Sequence, residues 1–164
     1  LAGAAFLVIE EMGKSEIEYG AYFIFASICF MFGNLMSARL SIRLGLFRLI
    51  QYGTGLVAFS VLTQWFLTGI DDPLVVFLPM FGVAIANGLV MPNAATMIMG
   101  VAPRLSGAAS GLAGFFQIGC GAIVTCLVGH FQFYNSLTLI IAMNICAVLA
   151  VTSLVLLRKP AVAK

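Results

Sequence analysis

Charge is what this sequence has least of. Asp, Glu, Lys and Arg together make up 9% of its 164 residues, against about a quarter in a soluble domain. It holds one His and one Trp. Apolar types reach 62%, and the mean hydropathy is +1.13. Burying a core cannot account for that balance, because a small water-soluble fold still needs a polar shell. A soluble globular domain and a disordered chain are therefore excluded. So is a nucleic-acid binder, since eight basic and six acidic residues leave a net charge of only +2 and no basic face to meet phosphates. What remains is an all-α polytopic membrane protein with lipid as most of its solvent.

Apolar windows of about 20 residues, bounded by charge, Gly and Pro, predict transmembrane helices at 19–38, 48–69, 74–100, 105–129 and 136–157. The last is the clearest: its Leu, Ile and Val residues together contribute about −4 to −7 kcal/mol toward insertion. Residues 1–9 are apolar but too short to span, and they have neither the basic n-region nor the cleavage site of a signal peptide. With Glu10, Glu11 and Gly13 behind them, residues 1–13 are expected to be the end of a truncated transmembrane helix and an outer loop. Residues 14–164 are expected to hold five transmembrane helices and a cytoplasmic C-terminal tail. Six helices, the first truncated, amount to half of a twelve-helix transporter.

If the spans alternate, seven of the eight basic residues fall on one side, among them Arg39, Arg43, Arg48, Arg104 and Arg158. Glu10, Glu11, Glu16, Glu18, Asp71 and Asp72 fall on the other with Lys14. The positive-inside rule then puts the arginine loops and the C-terminus in the cytoplasm.

A second absence is inside the spans: no Asp, Glu, Lys or Arg lies deep in any of them. Such residues are the usual proton relays and ion sites, so a proton-carrying carboxylate is not expected in this part of the molecule. The four cysteines, Cys29, Cys120, Cys126 and Cys146, lie inside spans without metal-ligand spacing, and read as small packing residues. No metal and no cofactor are expected.

Polar residues and helix breakers then stand out. The span 74–100 carries Asn87, Pro92 and Asn93. Pro92 removes a helical hydrogen bond and crowds the carbonyl of Gly88, which predicts a kink. Asn87 and Met91 share one face and are candidates for a substrate cavity; interhelical hydrogen bonding is the competing role for Asn87 and the preferred one for Asn93. The span 105–129 carries Gly107-x-x-x-Gly111 and Ser110-x-x-x-Gly114, small-xxx-small pairs that let helix backbones approach, and Gln117, a further cavity candidate. Gly107, Gly111, Gly114 and Pro92 are thus the candidate packing and rocking positions. The first full span is aromatic, and Tyr22, Phe23 and Phe30 could wall a cavity for a lipophilic molecule. Trp65 reads as an interface anchor, and His130 as a solvated residue at a helix end.

The segment 33–45, with Gly33, Arg39, Arg43 and Gly45, resembles the degenerate second copy of the loop motif of the major facilitator superfamily. Ser37 stands where that motif has Asp. Glu18-Tyr19-Gly20, the run from Asn87 to Ala94 and the run from Ser106 to Gln117 look more narrowly like the Bcr/CflA drug-resistance transporters, which are drug:proton antiporters. The resemblance covers nearly the whole chain. It implies the C-terminal six-helix half of a twelve-helix fold, from the end of helix seven through helix twelve, in a bacterial inner membrane. It also implies proton-coupled multidrug efflux by alternating access. A lipophilic small molecule would be the substrate, the lipid bilayer and the N-terminal six-helix half the partners, and the proton the coupling ion, handled in that other half. A major facilitator transporter of a metabolite or sugar is the alternative. An integral-membrane enzyme or structural subunit is a weaker one, since no His/Asp/Glu cluster, Ser–His pair or phosphate loop is present.

Overall fold

The computed structural model describes residues 15–66, 73–101, 103–132 and 137–158. They form five α-helices: α1 (Glu16–Leu44), α2 (Leu46–Phe66), α3 (Pro73–Val101), α4 (Ser106–Gln132) and α5 (Leu137–Arg158). A 3₁₀ turn, Pro103–Leu105, joins α3 to α4. No strand occurs among the described residues. Residues 1–13, expected to be the end of a truncated helix and an outer loop, lie outside them, as do Lys14, Asp71, Asp72 and the C-terminal tail expected in the cytoplasm. Four stretches are long and apolar enough to cross a membrane: Glu16–Leu44, Leu46–Phe66, Phe77–Gly100 and Ser106–Leu127. A shorter apolar stretch, Ile141–Leu156, lies in α5. The chain is a helical membrane protein.

Local chemistry sets the ends of α1. Ser15 Oγ accepts from the Glu18 N–H at 3.2 Å, and Glu18 Oε2 accepts from the Ser15 N–H at 3.3 Å. This reciprocal pair satisfies two N-terminal donors, and Glu16 and Glu18 complement the helix dipole. At the other end the helix does not stop where its hydropathy falls. It runs through Arg39 and Arg43 to Leu44, so most of the expected loop motif is helical. Arginines continue a helix well, and their stems lie along apolar surface while the guanidinium reaches water. Gly45 alone makes the turn, at φ 83°, a left-handed backbone that glycine adopts without steric cost. Its N–H donates to the Ser41 carbonyl at 3.0 Å, and its carbonyl accepts from the Leu49 N–H at 3.4 Å.

Helix α3 is the centre of the bundle. It packs along α1 and α2; α2 also packs along α5, and α4 makes shorter contacts with α3 and α5. Helices α1 and α3 run parallel and stay in register: Tyr22 meets Phe77, Phe25 meets Phe81, Gly33 meets Gly88 and Ser37 meets Asn93. Helix α3 stays helical through Pro79 and Pro92. Beside Pro92, the Leu89 carbonyl accepts from Asn93 Nδ2 at 2.6 Å and the Pro92 carbonyl from Thr96 Oγ1 at 2.8 Å, so side chains serve the backbone acceptors near the proline.

Burial mixes apolar residues such as Leu49, Val61 and Phe77 with an unusual share of polar ones. Ser37, Thr54, Ser60, Gln64 and Asn93 are buried, whereas Ile24, Phe32, Phe59, Phe115 and Ile118 are exposed. Hydrocarbon solvates the aliphatic and aromatic surface but offers polar groups nothing, so small polar residues collect between helices. Among the described residues of α4, none is buried.

Candidate functional site

Two glycines let α1 and α3 meet backbone to backbone. A Cβ at Gly33 would run into the Ile85 carbonyl oxygen and come within 3.1 Å of Gly88 Cα. A Cβ at Gly88 would collide with the Phe30 carbonyl oxygen and lie 2.8 Å from the Asn34 nitrogen. One turn further along α1, Asn93 Nδ2 donates to Ser37 Oγ at 2.7 Å, and both residues are buried. The side where α2 packs repeats the device: Gly82 leaves room for the Ser60 side chain, and Gly53 for the Ala86 carbonyl and Val90.

This seam was only partly legible beforehand. In the sequence, Gly33 and Ser37 read as parts of a loop motif, and Gly88 as the residue whose carbonyl Pro92 crowds. The usable signal was small-residue spacing, Gly33-x-x-x-Ser37 on α1 and Gly82-x-x-x-Ala86 on α3, the same pattern that drew notice to α4. At Gly107, Gly111 and Gly114, by contrast, a Cβ would meet nothing within 4 Å. The close approach expected there is not made by the described helices.

Replacing Asn93 by alanine should lower stability by about 1–2 kcal/mol, the range of a strong interhelical hydrogen bond in a membrane. Ser37→Ala should cost less, because Asn93 keeps its bond to Leu89. Thermal melts of both single variants and the double variant in detergent check this. Strictly additive losses would mean that the two side chains are not coupled.

The cavity candidates separate into three places. Asn87, the midpoint of α3, is exposed. One turn on, Met91 is also exposed, and its Sδ accepts from Gln117 Nε2 at 3.9 Å. Gln117 is itself exposed near the middle of α4. Met91 and Gln117 thus meet between α3 and α4, with Asn87 one turn before Met91 on the same face of α3 and Pro92, half-buried, next to Met91. Tyr22 belongs elsewhere. Its ring stacks on Phe77, centroids 4.5 Å apart and 13° between planes, inside a cluster that includes Tyr19, Met80, Phe81 and Met143. Phe77 is 2% exposed, so Tyr22 is packed against core rather than lining open space. Phe23 and Phe30 are exposed on the outside of α1. The structure therefore brings together Asn87, Met91 and Gln117 and does not bring the three aromatics to them.

Arg39 and Arg43 are exposed near the end of α1. Trp65 is exposed in the last turn of α2 and His130 in the last turn of α4. All four cysteines are free thiols. No group of His, Cys, Asp and Glu able to hold a metal occurs among the described residues.

No protein-family model, curated protein or solved structure matches the chain.

Proposed function

We propose that this chain forms half of a major-facilitator-type transporter that exports lipophilic small molecules by alternating access, coupled to protons. One arrangement carries the reading. Two exposed amides, Asn87 and Gln117, flank Met91 halfway along two long apolar helices. An amide facing hydrocarbon without a partner costs several kcal/mol. Gln117 has only the Met91 sulfur as a weak partner, so a water-lined cavity beside Met91 would serve it and the exposed Asn87; in transporters such cavities lie at mid-membrane between halves.

The chemistry of that face sets the substrate class. Amides and a thioether, with no charged group near them among the described residues, suit a neutral or lipophilic molecule with one or two hydrogen-bonding groups. The coupling carboxylate would lie in the partner half, since the carboxylates among the described residues are Glu16 and Glu18 in the first turn of α1. The segregation of basic from acidic residues supports a cytoplasmic arginine end and C-terminus, and the resemblance supports a bacterial inner membrane.

The test is efflux of a fluorescent lipophilic dye by the complete transporter in cells, with and without a protonophore. Export should stop when the proton gradient collapses; export that persists would remove proton coupling. Asn87→Ala should change the ranking of exported dyes at unchanged protein level. An unchanged ranking with a lower protein level would assign Asn87 to helix packing instead.

A further inference from the structure

Four of the five arginines among the described residues lie at one end of the three helices α1, α2 and α3. Arg39 and Arg43 lie one turn apart near the end of α1, and Arg48 follows in the first turn of α2, across the one-residue turn at Gly45. The Ser37–Asn93 bond sets the C-terminal halves of α1 and α3 side by side. That brings Arg104, in the 3₁₀ turn after α3, to the same end. All four are exposed. Glu16 and Glu18, the carboxylates among the described residues, sit at the opposite end of α1, about 40 Å away along a helix that rises about 1.5 Å per residue. Among the described residues, no carboxylate lies near these guanidiniums.

What does stand beside them is apolar. Leu35 is exposed one turn deeper than Arg39, and Tyr52 one turn deeper than Arg48. Leu105 is exposed next to Arg104, and Ile42 is 88% exposed next to Arg43. A guanidinium at the helix end with a large apolar side chain beside or below it matches a phospholipid, phosphate at the surface and acyl chain beneath.

We propose that this end of the bundle is a docking surface for anionic phospholipids, whose phosphates the four guanidiniums bind. Guanidinium and phosphate pair bidentately, which a point charge does not reproduce. A headgroup of net negative charge is preferred because a zwitterionic one brings an ammonium into a cluster of four cations. A soluble phosphate compound would want a concave site with converging donors, whereas these arginines stand on open helix ends with apolar neighbours that only acyl chains would cover. The proposal rests on the chain being a membrane protein and does not depend on what it transports.

The experiment is native mass spectrometry of the complete protein released from micelles holding phosphatidylglycerol and phosphatidylcholine in equal amounts. Phosphatidylglycerol should be retained preferentially. In R39Q/R43Q/R48Q/R104Q its retention should fall by about five-fold for each arginine removed, with phosphatidylcholine retention unchanged. Should that variant not fold, the pairs R39Q/R43Q and R48Q/R104Q carry the same test separately. The four-lysine variant should keep the preference but bind more weakly, because it retains the charge without the fork. Equal retention of the two lipids by the unaltered protein would overturn the proposal. So would an undiminished preference in a folded glutamine variant, or displacement of phosphatidylglycerol by glycerol phosphate, which would give the arginines to a soluble ligand. None of these readouts uses transport, so failure of the efflux test leaves them standing.

Discussion

Gly88→Val is expected to destroy the folded protein: the monodisperse, detergent-extractable fraction should fall at least tenfold. The obstacle is backbone, not side chain. A Cβ at position 88 meets the Phe30 carbonyl oxygen, the Asn34 nitrogen and the Gly33 carbonyl carbon, and none of these can rotate away. Helix α1 would have to retreat along a seam that also holds the buried Ser37–Asn93 bond. Overpacking a core costs about 1–3 kcal/mol where side chains can adjust, and here they cannot, so about 3 kcal/mol or more is expected. Gly88→Ala separates sterics from propensity. Alanine favours a helix by about 1 kcal/mol over glycine, so a net loss in that variant isolates the clash. Thermal melts within a few degrees of the unaltered protein would mean that α1 and α3 do not meet at this glycine.

Gly111→Leu should give the opposite pattern: normal folded yield and export reduced tenfold or more. Nothing lies within 4 Å of a Cβ at Gly111, and the neighbours Leu112 and Phe115 are already exposed. The leucine therefore costs little within the described helices, within about 0.5 kcal/mol as for other surface changes. If α4 closes against a partner half during transport, a branched side chain in its small-residue face holds the two backbones apart. Folded yield is read by size exclusion and export by dye efflux, on the same membranes. Full export in this variant would show that no helix approaches the glycine face, whereas loss of folding would show that α4 is tightly packed already. Gly88 and Gly111 thus make a matched pair, both glycines inside long helices, and opposite in expected effect.

The contrast also shows how far local sequence reaches. Hydropathy and charge locate helices because insertion depends on the summed transfer energy of about 20 consecutive residues. The spans expected at 74–100 and 136–157 differ from α3 (Pro73–Val101) and α5 (Leu137–Arg158) by a single residue at each end. The same reasoning fails at the end of α1. Arg39 and Arg43 end the apolar window, but a helix stops where its backbone hydrogen bonds stop, and that is at Gly45. For the candidate site, Asn87, Met91 and Gln117 were legible as polar or polarisable residues amid apolar spans. Tyr22 is harder to place from sequence, because an aromatic ring reads the same in a cavity wall as in a packed cluster. Only its stack on Phe77 distinguishes the two.

By itself, then, the sequence determined the solvent, the helical class, the approximate helix ends and the separation of basic from acidic residues. Each of these is a property of one segment and its length, and needs no partner. Which faces meet was decided only in the tertiary structure. Lipid tails are as apolar as leucine, so hydrophobicity does not select a packing face in a membrane; van der Waals fit and interhelical hydrogen bonds do. Those require a complement on another helix. Gly33 has one in Gly88, and Ser37 has one in Asn93. Gly107, Gly111 and Gly114 carry the same spacing and have none among the described helices.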